Sequence, residues 1–142
     1  MYLKILVALD NSPTDDEMLQ HISQLAGLLK SELLLLHVAD GWVARNFDQL
    51  NLAESEEMRE DWRYLEETAG RLRGATNLKI ETRLALGDPP VQILQVAEQE
   101  RCDLIALASH GHRLVGDILL GSTIETVRHK AHVPILVVPP RK

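Results

Sequence analysis

Five short aliphatic runs, separated by segments of helical periodicity, constrain this chain more than any other feature. The runs are Tyr2 to Leu9, Leu33 to Val38, Leu78 to Leu86, Asp103 to Ala108 and Val133 to Val138. Apolar runs this short, bounded by turn residues, predict buried strands, with Leu78 to Leu86 alternating only in part and so expected nearer a sheet edge. Between the first two, Met18, Ile22, Leu25, Ala26 and Leu29 mark one face of a helix over 14–30. Met58, Trp62, Leu65, Ala69 and Leu72 do the same over 54–73, where charges cover the other face. Gly87-Asp88-Pro89-Pro90 turns into a third helix, with Asp88 placed to cap it, Pro89 at its first position, and Ile93, Leu94 and Ala97 facing inward. A fourth helix is expected from about 122 to 130. Residues 40–53 show no clean period and read as a loop. Strands alternating with helices imply a parallel sheet covered on both sides. The expected fold is α/β, a three-layer α/β/α sandwich with a five-stranded parallel sheet, forming one domain over residues 1–142.

At 142 residues with 45% hydrophobic side chains, the chain can bury a core without metal or disulfide support. Its one cysteine, Cys102, excludes an internal disulfide framework and reads as a small buried hydrophobe. A net charge of -6 argues against non-specific binding to nucleic acid or acidic membranes. No apolar run approaches the roughly 20 residues of a membrane helix, and no secretory leader pattern opens the chain. A cytoplasmic protein is expected.

Parallel sheets of this kind bind ligands at the carboxyl ends of their strands, where the strand order reverses. Two turns at that edge carry polar residues: Asp10, Asn11 and Ser12 after the first strand, and Ser109 to Gly111 after the fourth. Glycine lets a backbone approach a phosphate, because no Cβ intervenes. Gly121-Ser122 stands at a helix start, where free N–H groups attract an anion and the hydroxyls of Ser122 and Thr123 can add hydrogen bonds. Asp10 can hold a Mg²⁺ against phosphate charge or accept a ribose hydroxyl. On spacing alone, Gly111 serves equally well as a plain turn and Ser122 as a plain helix cap. Neither a P-loop nor the dinucleotide glycine fingerprint occurs. His37, inside the second run, reads as a hydrogen-bonded structural histidine. Trp42 and Phe47 are candidates for a lid. His129 and His132 suit a helix C-terminus and do not form a metal site.

The segments ILVALDNSP at 5–13, GDPPVQILQVAEQERCDLIALASHG at 87–111 and GDILLGSTIETVRHKAHVPILVV at 116–138 resemble the universal stress proteins, nearly end to end. Nucleotide-binding members carry Gly, two residues, Gly, nine residues, then Gly followed by Ser or Thr. Gly111, Gly121 and Ser122 match; Ala108 stands at the first position and adds a methyl group there. The resemblance implies a sheet of order 3-2-1-4-5 and binding of ATP or AMP, with or without Mg²⁺. It implies Asp10 near the ribose or a phosphate-bound metal, and backbone bonds from Val38 to adenine. Ala108, Ser109, His110 and Gly111 would line the ribose and first phosphate. His112, Arg113, Gly121, Ser122 and Thr123 would surround the phosphates. It further implies a homodimer through the last strand, residues 133–138, with Ile135 and Val137 near the seam.

Three functions compete on this reading. The first is a nucleotide-dependent sensor of stress that changes its contacts with a protein partner. The second is a slow ATPase, with Asp10 holding metal and His110 or Arg113 assisting. The third is a dimeric interaction module without nucleotide, favoured if Ala108 closes the pocket. Phosphoryl transfer needs an oriented nucleophile and strong charge stabilisation, and no persuasive base accompanies the phosphate loop.

Overall fold

The structure, a computed structural model, describes residues 1–40, 51–109 and 123–139. Strands β1 (Lys4–Leu9), β2 (Glu32–Asp40), β3 (Ile80–Gly87), β4 (Leu104–Ala108) and β5 (Ile135–Val138) form one sheet in the order β3-β2-β1-β4-β5, with every pairing parallel. This is the expected architecture and strand order. Helix α1 (Thr14–Leu29) follows β1, α2 (Asn51–Ala75) follows β2 and α3 (Pro89–Gln99) follows β3. A fourth helix, α4, covers 123–130 and leads to β5.

Alternation along the strands sorts side chains into two layers. Ile5, Val7, Leu33, Leu35 and Ala106 pack with Met18 and Ile22 of α1 and Leu65 and Ala69 of α2. Leu6, Leu34, Leu36, Ile105 and Leu107 pack with Ile93, Val96 and Ala97 of α3 and Val127 of α4. Helices after β1 and β2 therefore cover one face, and helices after β3 and β4 cover the other. The change of side falls between β1 and β4. Fully buried residues such as Met18, Ile22 and Leu65 each stabilise the fold by about 1.5–3 kcal/mol relative to exposure.

The local chemistry explains the boundaries. Asp15, Asp16 and Glu17 occupy the first turn of α1, where the helix dipole favours anions. The helix ends at Lys30, whose left-handed φ of 58° lets its N–H reach the Ala26 carbonyl. At the start of α3, Pro89 sits at the first position as expected. Asp88 occupies the cap, but its side chain makes no capping bond; its carbonyl accepts the Gln92 N–H at 3.0 Å. Gly87 turns with φ +135°, a conformation that side chains other than glycine's rarely adopt.

Several expected boundaries change: β3 begins at Ile80 and β5 at Ile135, each two residues later than expected. The segment expected as a loop over 40–53 loses both ends: β2 runs on to Asp40, and α2 begins at Asn51. The inward face of α2 is also rotated from the expected one. Trp62 is 46% exposed, whereas Asp61 and Thr68 are buried beside Leu65 and Ala69. Polar partners waiting on the sheet edge, described below, outweigh the hydrophobicity of tryptophan at this position.

Candidate functional site

Strand pairing opens a crevice at the carboxyl edge. β1 pairs with β2 through Leu9 and His37, after which β2 continues to Asp40 beside β3 alone. On its other side β1 pairs with β4 only as far as Val7 and Ala106, whereas β4 pairs with β5 through Ala108 and Val138. β1 and β4 thus part company at the point where the helices change sides, the place where such folds bind ligands.

A cavity of about 220 Å³ occupies this crevice on the α3/α4 side. Its apolar wall comes from Leu36, Ile93, Leu107 and Ile124, and its rim carries Asp10, Val38, Ala108 and Thr123. Whole ligand pockets usually span about 300–1,000 Å³. The space lies below that range. Val38 is the first β2 residue beyond the last pair with β1, so its backbone edge faces the crevice.

Of the residues expected at the site, Asp10, Val38, Ala108 and Thr123 come together around the cavity. Ser12 and Ser109 do not line it. The Ser12 and Thr14 hydroxyls bond to each other at 2.6 Å, and the Ser109 N–H donates to the Val138 carbonyl at 3.0 Å, extending the β4–β5 pairing. His110, Gly111, His112, Arg113, Gly121 and Ser122 lie outside the described residues, as do Trp42 and Phe47. Ala108 follows Leu104 and Ala106 in alternation and packs against the α1/α2 core while also lining the cavity.

The turn that carries Asp10 is held by a residue that sequence reasoning missed. Asp15, only 1% exposed, accepts the Asp10 N–H at 3.2 Å and the Asn11 N–H at 2.9 Å. Tyr64 of α2 donates its hydroxyl to the same carboxylate. Burial pushes the Asp15 carboxyl up to about 6; the Tyr64 bond opposes this and the Asp10 charge adds to it. Burial, with the bond to Asp15, also pushes the Tyr64 hydroxyl up. His37 donates from Nδ1 to the Leu9 carbonyl at 3.0 Å, and its Nε2 stands 3.4 Å from Asp61 Oδ2. The available signal was the spacing of Asp61, Tyr64 and Thr68 along one helical face, adjacent to Leu65.

The family model for the universal stress protein family matches residues 1–139. The chain belongs to the universal stress protein family. This universal stress protein is 30% identical to universal stress protein MJ0577 of Methanocaldococcus jannaschii, covering 97% of this chain and 95% of that one. A solved structure of MJ0577 superposes with a TM-score of 0.85 at 32% identity, covering 100% of this chain and 99% of the other. A universal stress protein solved in complex with cAMP shares the fold with a TM-score of 0.72 at 20% identity, over 97% of each chain. One from Archaeoglobus fulgidus, in complex with dAMP, does so at 0.68 and 20%, over 96% of this chain and 98% of that one. Among the described residues no helix is long and apolar enough to cross a membrane.

Proposed function

We propose that this protein binds an adenine nucleotide, ATP or AMP, at the carboxyl edge of its sheet and acts as a nucleotide-dependent sensor in the stress response. The observation that carries this reading is the apolar cavity at the point where the helices change sides, with a carboxylate on its rim. Adenine would sit between Leu36, Ile93, Leu107 and Ile124, which line the cavity. The Val38 backbone, beyond the end of β1, would read the edge of the base. Asp10 would accept a ribose hydroxyl. Thr123, at the start of α4, would meet the phosphates together with Gly121, Ser122 and the 110–113 segment. Two solved proteins of this fold hold cAMP and dAMP, which makes an adenine ligand the natural first candidate.

Among the described residues no three metal-ligating side chains converge. A Mg²⁺ ion bound through one carboxylate and the nucleotide's phosphates needs no more than Asp10. Such an ion would neutralise phosphate charge. The nucleotide-free alternative is favoured if Ala108, which both lines the cavity and packs on the α1/α2 core, closes the pocket.

The protein would act as a homodimer in the cytoplasm. β5 lies at the sheet edge with Val137 41% exposed, a strand edge that calls for cover. Sedimentation at micromolar concentration should give a dimer; monomer alone would remove this part. Chromatography of the denatured protein should release an adenine nucleotide, and calorimetry with ATP and AMP, with and without Mg²⁺, should rank the ligands. Gly121→Val should weaken binding while the fold persists. Failure to bind either nucleotide at millimolar concentration would overturn the reading.

A further inference from the structure

The peptide group that leads into Asp10 is gripped at both ends. Its carbonyl, on Leu9, accepts a hydrogen bond from His37 Nδ1 at 3.0 Å. Its N–H, on Asp10, donates to Asp15 Oδ1 at 3.2 Å, and the next N–H, on Asn11, donates to Asp15 Oδ2 at 2.9 Å. Each gripping side chain is met in turn by one residue of α2. Tyr64 donates its hydroxyl to Asp15, and Asp61 Oδ2 stands 3.4 Å from His37 Nε2. Asp61 and Tyr64 are three residues apart and so share one face of α2.

This arrangement is costly unless its geometry serves a purpose. Asp15 and Asp61 are buried at 1% and 8% exposure. Buried polar groups are tolerated only when bonded, and bonded networks fix geometry better than aliphatic packing does. The adjoining Asn11 holds a left-handed φ of 60°, a conformation that persists when its surroundings over-determine it. What the network fixes is the residue between the two grips, and that residue lines the cavity.

We infer that Asp15 and His37, backed by Tyr64 and Asp61 of α2, are positioning residues that aim the Asp10 carboxylate at the ribose hydroxyls of the bound nucleotide. Recognition of the sugar is thereby set from the α1/α2 side of the sheet, opposite the layer that receives the base. The inference rests on the proposed nucleotide reading and deepens it.

The test compares the full chain with its Tyr64→Phe and Asp61→Asn variants. Calorimetry uses AMP and 2′,3′-dideoxy-AMP, which lacks both ribose hydroxyls. Amide hydrogen exchange is followed at Asp10 and Asn11, with Leu6 and Val7 in the core of β1 as controls. Each variant should weaken AMP by about three- to tenfold, the scale of one hydrogen bond, and leave dideoxy-AMP within about twofold. Exchange at Asp10 and Asn11 should rise by about tenfold in Tyr64→Phe, with the controls unchanged. Equal losses for both ligands would assign these residues a merely structural role and overturn the inference. So would unchanged AMP affinity together with unchanged exchange. If the wild type binds neither ligand, the nucleotide reading fails and the exchange data alone decide: a selective rise upholds the positioning of Asp10, and no rise refutes it.

Discussion

At the carboxyl edge of the sheet the two helical layers behave in opposite ways. On the α3/α4 side, sheet and helices draw apart and leave an apolar cavity between Leu36, Ile93, Leu107 and Ile124. On the α1/α2 side, the same level is filled by Asp15, hydrogen-bonded to Tyr64 and to the Asp10 and Asn11 N–H groups, and by His37, hydrogen-bonded to the Leu9 carbonyl with its Nε2 3.4 Å from Asp61 Oδ2. The open side offers space and little direction. Around Asp10 the closed side offers direction, and its own recess lies apart, between α1 and β5. A binding site needs both, and here they meet at Asp10, the residue that lies on the rim of one and in the grip of the other.

Side-chain deletions should break this contrast unequally. Leu65→Ala, on the closed side where Leu65 is fully buried, should cost about 2–5 kcal/mol in urea unfolding, because the surrounding packing cannot collapse fully. Ile124→Ala, beside the existing cavity, should cost less than half of that in the same experiment. Equal costs would show that the open side is packed as tightly as the closed one. Filling the cavity tests it from the other direction. Ile124→Trp should abolish AMP binding, by about a hundredfold in calorimetry, with the circular dichroism spectrum retained.

The α3/α4 layer also holds a second recess, of about 300 Å³, at its far end beside Cys102. Cys102 lies in the α3/α4 layer before β4, only 5% exposed, and burial pushes its thiol up to about 11 against the opposing charge of Lys4. Alkylation at pH 8 should therefore run about a hundredfold slower than for free cysteine, because the thiolate is that much scarcer. Rapid alkylation would mean that the recess beside Cys102 exposes the thiol. The smallest effect is expected at the rim: Asp10→Ala should weaken AMP about tenfold in calorimetry, the loss of one charge-assisted hydrogen bond.

The legible parts of the site were those that need only local spacing. Asp10 follows an aliphatic run and Thr123 belongs to a Gly-Ser-Thr helix-start pattern, and both reach the cavity, as does Val38, which the family resemblance alone put at the site. Ser12 and Ser109 looked equivalent in the chain, yet their bonds go to Thr14 and to β5, which spacing cannot foresee. Trp62 of helix α2 was misplaced for a related reason, while Leu65, Ala69 and Leu72 face the core as expected. Trp62 outranks Asp61 on any scale of hydrophobicity, so periodicity placed tryptophan inside. The fold buries Asp61 because His37 awaits it, and Tyr64 turns inward because Asp15 does. Those partners are 24 and 49 residues distant in the chain.

By itself the sequence determined the kinds of element, their order and their parallel pairing, since short aliphatic runs and amphipathic helices have few other ways to hide their apolar faces. The residue pattern also carried the family. Only the tertiary structure decided which way α2 turns, that the methyl of Ala108 joins the α1/α2 core, and which carboxylate supports Asp10. Each of these depends on contacts between distant segments, where the free energy of a buried polar group is set by the partner it finds and not by its neighbours in the chain.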